Sequence, residues 1–205
     1  MRSDFLPTGF LREVRVWRPG VLQVDHVSTV RGAAWHPGAV TQLEDRGAEG
    51  GTRLVLVEAA YDSPLVQELV NEVQAEYVQR YGGPDDTPLS PAEFAPPGGA
   101  FLVALLDGEP VGTAGLRDHG DGDVELKRMY VRAAHRRRGH ARRLLAAVED
   151  RARALGHRRV VLETGQMQPE AVALYRSAGY EPTAPYGHYA DSPHSIHLAK
   201  QLVEH

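Results

Sequence analysis

One stretch limits what this chain can become more than any other, and it runs from Val124 to Leu155. It opens with Val124, Leu126 and Met129 set among polar residues and closes on Tyr130-Val131, the pattern of a strand. A basic turn holding Gly139 follows. Beyond it Leu144, Leu145, Val148, Ala152 and Leu155 recur at helical spacing, which gives a long helix one apolar face. A strand, a basic glycine-containing turn and a helix start together make a place to hold an anion, most often a phosphate.

The rest of the composition bounds the setting. A chain of 205 residues suggests one domain with additions. Its hydrophobic fraction of 42% and charged fraction of 24% are those of an ordinary globular protein. No apolar run approaches the roughly 18 residues of a membrane span, and the first residues lack the apolar core of a secretion signal. Cysteine is absent, which excludes disulfides, thiolate metal sites and a cysteine nucleophile and fits a cytoplasmic protein. A net charge of -4 gives no reason to expect nucleic-acid or membrane binding. Twelve Lys and Arg nevertheless fall between Lys127 and Arg159, against Glu149 and Asp150 as the acids there. Such a local patch on a mildly acidic chain suits a small polyanion, although for most of these arginines the reading as solvated surface is the better one.

Residues 1–51 carry scattered apolar residues and recurrent Gly and Pro, and are expected to form an N-terminal extension of uncertain order, with short strands around Pro19-Gly20. The main domain is expected over 52–205. Arg53 to Tyr61 reads as a strand, and Asp62-Ser63-Pro64 as a side-chain-capped helix start. Val66, Val70, Val73 and Tyr77 mark the face of that helix to about Arg80. A Pro-rich loop follows to Gly99, long enough inside a compact domain to suggest function. Ala100 to Leu106 and Pro110 to Leu116 form a hairpin over Asp107-Gly108. Then come the opening strand and helix, a strand over Arg158 to Thr164, and a short helix from Pro169 with Ala171, Leu174, Tyr175 and Ala178 on one face, stopped by Gly179. Strands at Tyr180 to Pro182 and Ser195 to Leu202 end the order. The class is α/β, one mixed sheet with helices on both faces.

Set in that order, Arg136-Arg137-Arg138-Gly139-His140-Ala141 resembles the signature of the GNAT superfamily of acetyl-coenzyme A-dependent N-acetyltransferases, Arg/Gln-x-x-Gly-x-Gly/Ala between the fourth strand and the third helix. Pro169 to Tyr175 with Gly179-Tyr180 is similar to a second family segment, with Gln168 where the family has Asn. The resemblance covers roughly Thr52 to Leu202. It implies the GNAT fold, a central and mostly antiparallel twisted sheet splayed between its fourth strand (Val124 to Val131) and its fifth (Arg158 to Thr164). It also implies acetyl-coenzyme A as cosubstrate, with no metal.

Carried over residue by residue, the resemblance puts the pyrophosphate on Arg136, Arg137, Arg138, Gly139, His140, Ala141 and Arg142, chiefly on their backbone N–H groups. The fourth-strand backbone at Met129, Tyr130 and Val131 would meet the pantetheine arm, and Gln168 would add a cofactor contact. Tyr175 matches the tyrosine that protonates the departing thiolate; its other reading is a core aromatic. Glu125 is the candidate general base, unless it is only paired with Lys127 or Arg128, in which case Glu163 on the next strand replaces it. Glu163, Tyr186, His188, Tyr189 and Ser195 would border the acceptor. His188, His194 and His197 show no zinc spacing. The expected partner is a small-molecule amine. Acetylation of protein lysines or N-termini, and a sensor that binds acetyl-coenzyme A without turnover, remain the alternatives. A homodimer is left open.

Overall fold

In the computed structural model the chain is described over residues 54–202, with strand backbone also given at 14–18, 21–25 and 43–44. The rest of the expected N-terminal extension, and its boundary at 51/52, lie outside the described residues. Two of the N-terminal strands, β1 (Val14–Arg18) and β2 (Val21–Asp25), pair antiparallel.

The main sheet has eight strands: β3 (Leu43–Glu44), β4 (Leu54–Glu58), β5 (Ala100–Leu106), β6 (Glu109–Gly120), β7 (Asp123–Val131), β8 (Arg159–Gly165), β9 (Glu181–Pro182) and β10 (Ser195–Gln201). Their spatial order is β3-β4-β5-β6-β7-β8-β10-β9. All neighbours run antiparallel except β7 and β8, joined by the crossover helix α2 (His140–Ala154). Helices α1 (Pro64–Tyr81) and α3 (Pro169–Ser177) complete the layers.

The two faces of the sheet bury different cores. Leu144, Leu145, Val148 and Ala152 of α2, each at most 1% exposed, pack on Val124, Leu126, Val160 and Leu162. Burying such side chains contributes about 1.5–3 kcal/mol each. On the other face Val66, Leu69 and Val70 of α1 meet Val57, Phe101, Val103 and Phe94. The start of α1 differs from expectation: the Ser63 hydroxyl makes no capping bond, and the Gln67 N–H reaches the Ser63 carbonyl instead. The long loop 82–99 carries one short 3-10 turn, Pro91–Phe94, whose Phe94 stacks on Tyr61 at 4.6 Å and plugs the core edge.

The feature that positions the site is a parting of strands. Parallel pairing of β7 with β8 runs from Asp123↔Arg159 to Leu126↔Leu162 and stops there. One residue on, β7 bulges: Thr113 and Gly115 of β6 face Tyr130 and Lys127, so two β7 residues lie against Ala114 alone. Arg128 takes φ 55°, a left-handed conformation that costs a side-chain-bearing residue on the order of 1–3 kcal/mol. The buried Thr113 hydroxyl donates to the Arg128 carbonyl at 3.0 Å and holds the bulge in place.

Candidate active site

Where the strands part, a cavity of about 380 Å³ opens. Its walls are Leu126 to Met129 of β7 and Glu163 to Gly165 of β8. Tyr77 and Tyr81 of α1, residues Gly83 to Asp86, Gln168, Ala171 and Tyr175 around α3, and Tyr189, Ser192, His194 and Ser195 before and within β10 close the remainder. Among the predicted side chains, Met129, Glu163, Gln168, Tyr175, Tyr189 and Ser195 therefore share one space. Strand β8 ends in glycine for a visible reason, since a Cβ on Gly165 would stand 2.1 Å from the Tyr81 hydroxyl.

Tyr175 is buried on α3, and its hydroxyl donates to the Met129 sulfur at 3.5 Å. Burial raises its pKa well above the ordinary phenol value, and the Tyr77 hydroxyl and Glu163 charge push the same way. It is a proton holder at neutral pH. Glu163 lines the same cavity half-buried, and among the described residues its carboxylate makes no hydrogen bond and no ion pair.

Glu125 sits elsewhere. It faces a second cavity of about 10 Å³, room for about one water, lined also by Thr87, Arg117, Lys127, Glu163, Tyr186, His188 and Tyr189. There Arg117 Nε donates to Glu125 at 2.6 Å and Lys127 Nζ lies 3.5 Å away, so the carboxylate is buried, charge-paired and outside the larger cavity. Tyr186 packs between the rings of His119 and His197 at 4.6 and 5.0 Å and also misses the larger cavity. His188 lines the smaller cavity alone and bonds Asp86 at 3.0 Å.

The residue that ties the loop after α1 to β7 and to the segment before β10 was not singled out from the sequence: Asp85. Arg128 Nη1 donates to it at 2.5 Å, the Thr87 hydroxyl at 2.6 Å and the Thr87 N–H at 2.9 Å. The Tyr189 hydroxyl lies 3.1 Å from Asp85 Oδ1 and 2.7 Å from Asp86 Oδ1. Burial works against ionisation of Asp85, yet the Lys127 and Arg128 charges and the Thr87 bonds prevail and hold its carboxyl below the usual range. The one signal for it in the sequence was the length of the loop that carries it.

Past β7 the basic turn leads into α2. Arg136 is not free: its guanidinium pairs with Glu76, donates to the Val131 carbonyl at 2.8 Å and lies over the Tyr130 ring at 5.5 Å. Tyr130 itself turns to α1, its hydroxyl 3.3 Å from Glu72. These contacts fix the turn against α1 and leave its backbone exposed. Arg137 and Gly139 take φ 62° and 82°, and no side chain caps the N-terminus of α2. Among the described residues the first N–H groups of the helix thus find no capping partner, and they lie at the positive end of the helix dipole. A Cβ built on Gly139 meets no protein atom within 4 Å, so the space before the turn is open to a ligand. Arg137 and Arg138 are exposed and have no partner among the described residues, while Arg142 donates to Ser177 on α3 at 3.0 Å. His140 is buried; desolvation and then the charges of Arg143, His135 and Arg138 lower its pKa, so only its backbone suits an anion. Uncapped amides, open space and free arginines fit a pyrophosphate, and the parted strands fit an extended arm ending in a thioester.

Among the described residues no three His, Asp or Glu side chains gather as a metal ion would need, and no helix is long and apolar enough to cross a membrane. The model of the acetyltransferase (GNAT) family matches residues 66–180. An IAA acetyltransferase of Azospirillum brasilense is 36% identical over 150 residues, spanning 71% of this chain and 98% of its own length. A structure described as an acyl-CoA N-acyltransferase of Klebsiella pneumoniae superposes with a TM-score of 0.63 at 27% identity, over 73% of this chain and 98% of that one. A GNAT family acetyltransferase of Elizabethkingia anophelis, solved with acetyl-CoA bound, shares the fold at 17% identity and a TM-score of 0.53, over 73% of this chain and 98% of that one. With parted strands, an uncapped helix turn and a family match over more than half its length, the chain belongs to the GNAT family and is an acyl-CoA-dependent acetyltransferase.

Proposed function

We propose that the protein moves an acetyl group from acetyl-coenzyme A to the primary amine of a small molecule by direct attack, with both reactants in the cavity between β7 and β8. The observation that carries this reading is the presence of Glu163 and Tyr175 in one cavity: a carboxylate with no partner among the described residues and a phenol kept protonated by burial. Coenzyme A, when bound, supplies an activated thioester carbonyl and a thiol leaving group.

The chain supplies the rest. Amides of the turn before α2 and of its first residues hold the pyrophosphate. The backbone of Lys127 to Val131, released from β8, offers its groups to the pantetheine arm and the carbonyl. Glu163 receives the proton that the acceptor nitrogen must lose, directly or through a water, and Tyr175 gives its hydroxyl proton to the leaving sulfur. With the amine forming the new C–N bond as the C–S bond breaks, one proton leaves nitrogen and one reaches sulfur, so the transfer balances. Glu163 takes the base's part here because Glu125 is bound to Arg117 and lies outside this cavity.

An amine panel with thiol release as the readout tests the reading. Turnover of at least one small amine, with peptides of internal lysine and protein N-termini slower by tenfold or more, supports it. Tight coenzyme A binding with no turnover of any amine overturns it.

A further inference from the structure

Beside the site lies a buried donor that none of the steps above uses. The Tyr186 hydroxyl is closed off from solvent and, among the described residues, makes no hydrogen bond. Its ring is fixed from both sides, since His119 of β6 and His197 of β10 meet it at 4.6 and 5.0 Å in edge-to-face contacts. The hydroxyl therefore cannot swing away to a partner elsewhere, and a polar group buried without one is costly.

Two carboxylates flank that hydroxyl. Burial raises the Tyr186 pKa, and the Glu125 and Glu163 charges push the same way against those of Arg117 and Arg159. The phenol is thus a protonated donor with an acceptor on each side. Neither acceptor reaches it directly, and the space among them is the cavity of about 10 Å³. An apolar void stays dry, whereas a polar one with two to four partners takes a water. The bonding capacities match here: Tyr186 donates to the water oxygen, and the water has two protons for two carboxylates. Glu125 has sites to spare beside Arg117 and Lys127. Lys127 already acts on Glu125 and on Asp85, which leaves Tyr186 as the donor for Glu163.

We infer that Tyr186 positions the base: through one water in the smaller cavity it holds one Glu163 oxygen, and the other is aimed at the acceptor nitrogen. This rests on the reading of Glu163 as the base and adds what orients it. Glu163 lines both cavities, and it stands opposite His197 in the β8–β10 register, on the face that Tyr186 covers. A carboxylate with no bond to fix it turns freely, and misorientation by a small angle slows transfer. Tyr186 itself touches no reactant.

The test compares single-turnover rates of the unaltered protein, Tyr186→Phe, Glu163→Gln and the double variant, using whichever amine of the panel is turned over fastest. Tyr186→Phe keeps the ring between the two histidines and removes only the hydroxyl. It should lower the rate by about 10-fold, the scale of one hydrogen bond to a charged group. KM for the amine, coenzyme A affinity and Tm should stay as they are. In the Glu163→Gln background the same substitution should change the rate by less than about twofold, since no base is left to aim. An unchanged rate in Tyr186→Phe beside a slow Glu163→Gln overturns the inference and leaves the transferase reading standing. An equal loss in both backgrounds overturns it too, as does a slower rate that comes with lower Tm or weaker coenzyme A binding. A full rate in Glu163→Gln removes the base assignment and this inference with it.

Discussion

The two sides of the proposed site, donor and acceptor, are built by different means. The donor side is one continuous stretch, β7, the turn and α2, and its working parts are backbone groups: unpaired strand amides and an uncapped helix N-terminus. The acceptor side is assembled from side chains far apart in sequence. Arg128 reaches Asp85 across 43 residues, and Tyr189 reaches Asp85 and Asp86 across 104 and 103. Backbone geometry tolerates many side chains, so the donor side can be shared among proteins of different specificity. Paired side chains define a particular shape and charge, which is what an acceptor site needs.

The contrast can be broken most severely on the donor side. Gly139→Glu places a side chain at φ 82° and a negative charge in the open space before the turn. Like charges brought together cost several kcal/mol, so coenzyme A affinity should fall by about 1,000-fold in a titration, with the fold intact by circular dichroism. Retained affinity would place the pyrophosphate elsewhere.

On the acceptor side the largest effect should be structural. Asp85→Ala leaves the Arg128 guanidinium, 3% exposed, without its counter-ion. Such a loss costs roughly 3 kcal/mol, or a Tm lower by about 6–12 °C in a domain of this size. Coenzyme A affinity should change much less, and an equal loss of both would dissolve the distinction between the two sides.

Tyr175→Phe should lower kcat by about 10- to 100-fold and leave coenzyme A affinity within about twofold, since it removes a proton donor and little else. An unchanged kcat would make Tyr175 packing alone.

The smallest effect concerns acid. A carboxyl held below its ordinary pKa contributes stability above its unfolded value, near 3.9, and loses it as pH falls through the folded value. Asp85 is such a group. The stability gap between the unaltered protein and Asp85→Asn should therefore be full near neutrality and narrow below about pH 4. A gap constant down to pH 2 would contradict the charge-paired description of Asp85.

The same division explains what was legible in the sequence. The order of strands and helices from 54 to 202 could be read because apolar period, turn glycines and prolines are local signals. Of the apolar face expected at Leu144, Leu145, Val148, Ala152 and Leu155, the first four are buried as that period requires, while Leu155 lies just past the end of α2 and is half-buried. Gly139 could be read because its positive φ and open surroundings are imposed by neighbours in sequence. Side-chain partners could not. Arg136 looked like a ligand group and is tied to Glu76 of α1, 60 residues earlier. Glu125 looked like the base and is held by Arg117, a cross-strand partner in the β6–β7 register. Strand alternation said that Glu125 and Lys127 share a face, but nothing local said that pairing would stop at Leu126 and leave Lys127 and Glu163 apart. Asp85 carried no motif, since its importance comes entirely from what folds onto it.

The central claim is that the cavity between β7 and β8 is where acetyl transfer occurs, with Glu163 receiving the acceptor's proton. Its most direct test is Glu163→Gln, nearly equal in shape and unable to accept that proton, assayed in single turnover beside a coenzyme A titration. The account predicts a rate lower by at least about 100-fold with coenzyme A affinity unchanged. A full rate in that variant would contradict it.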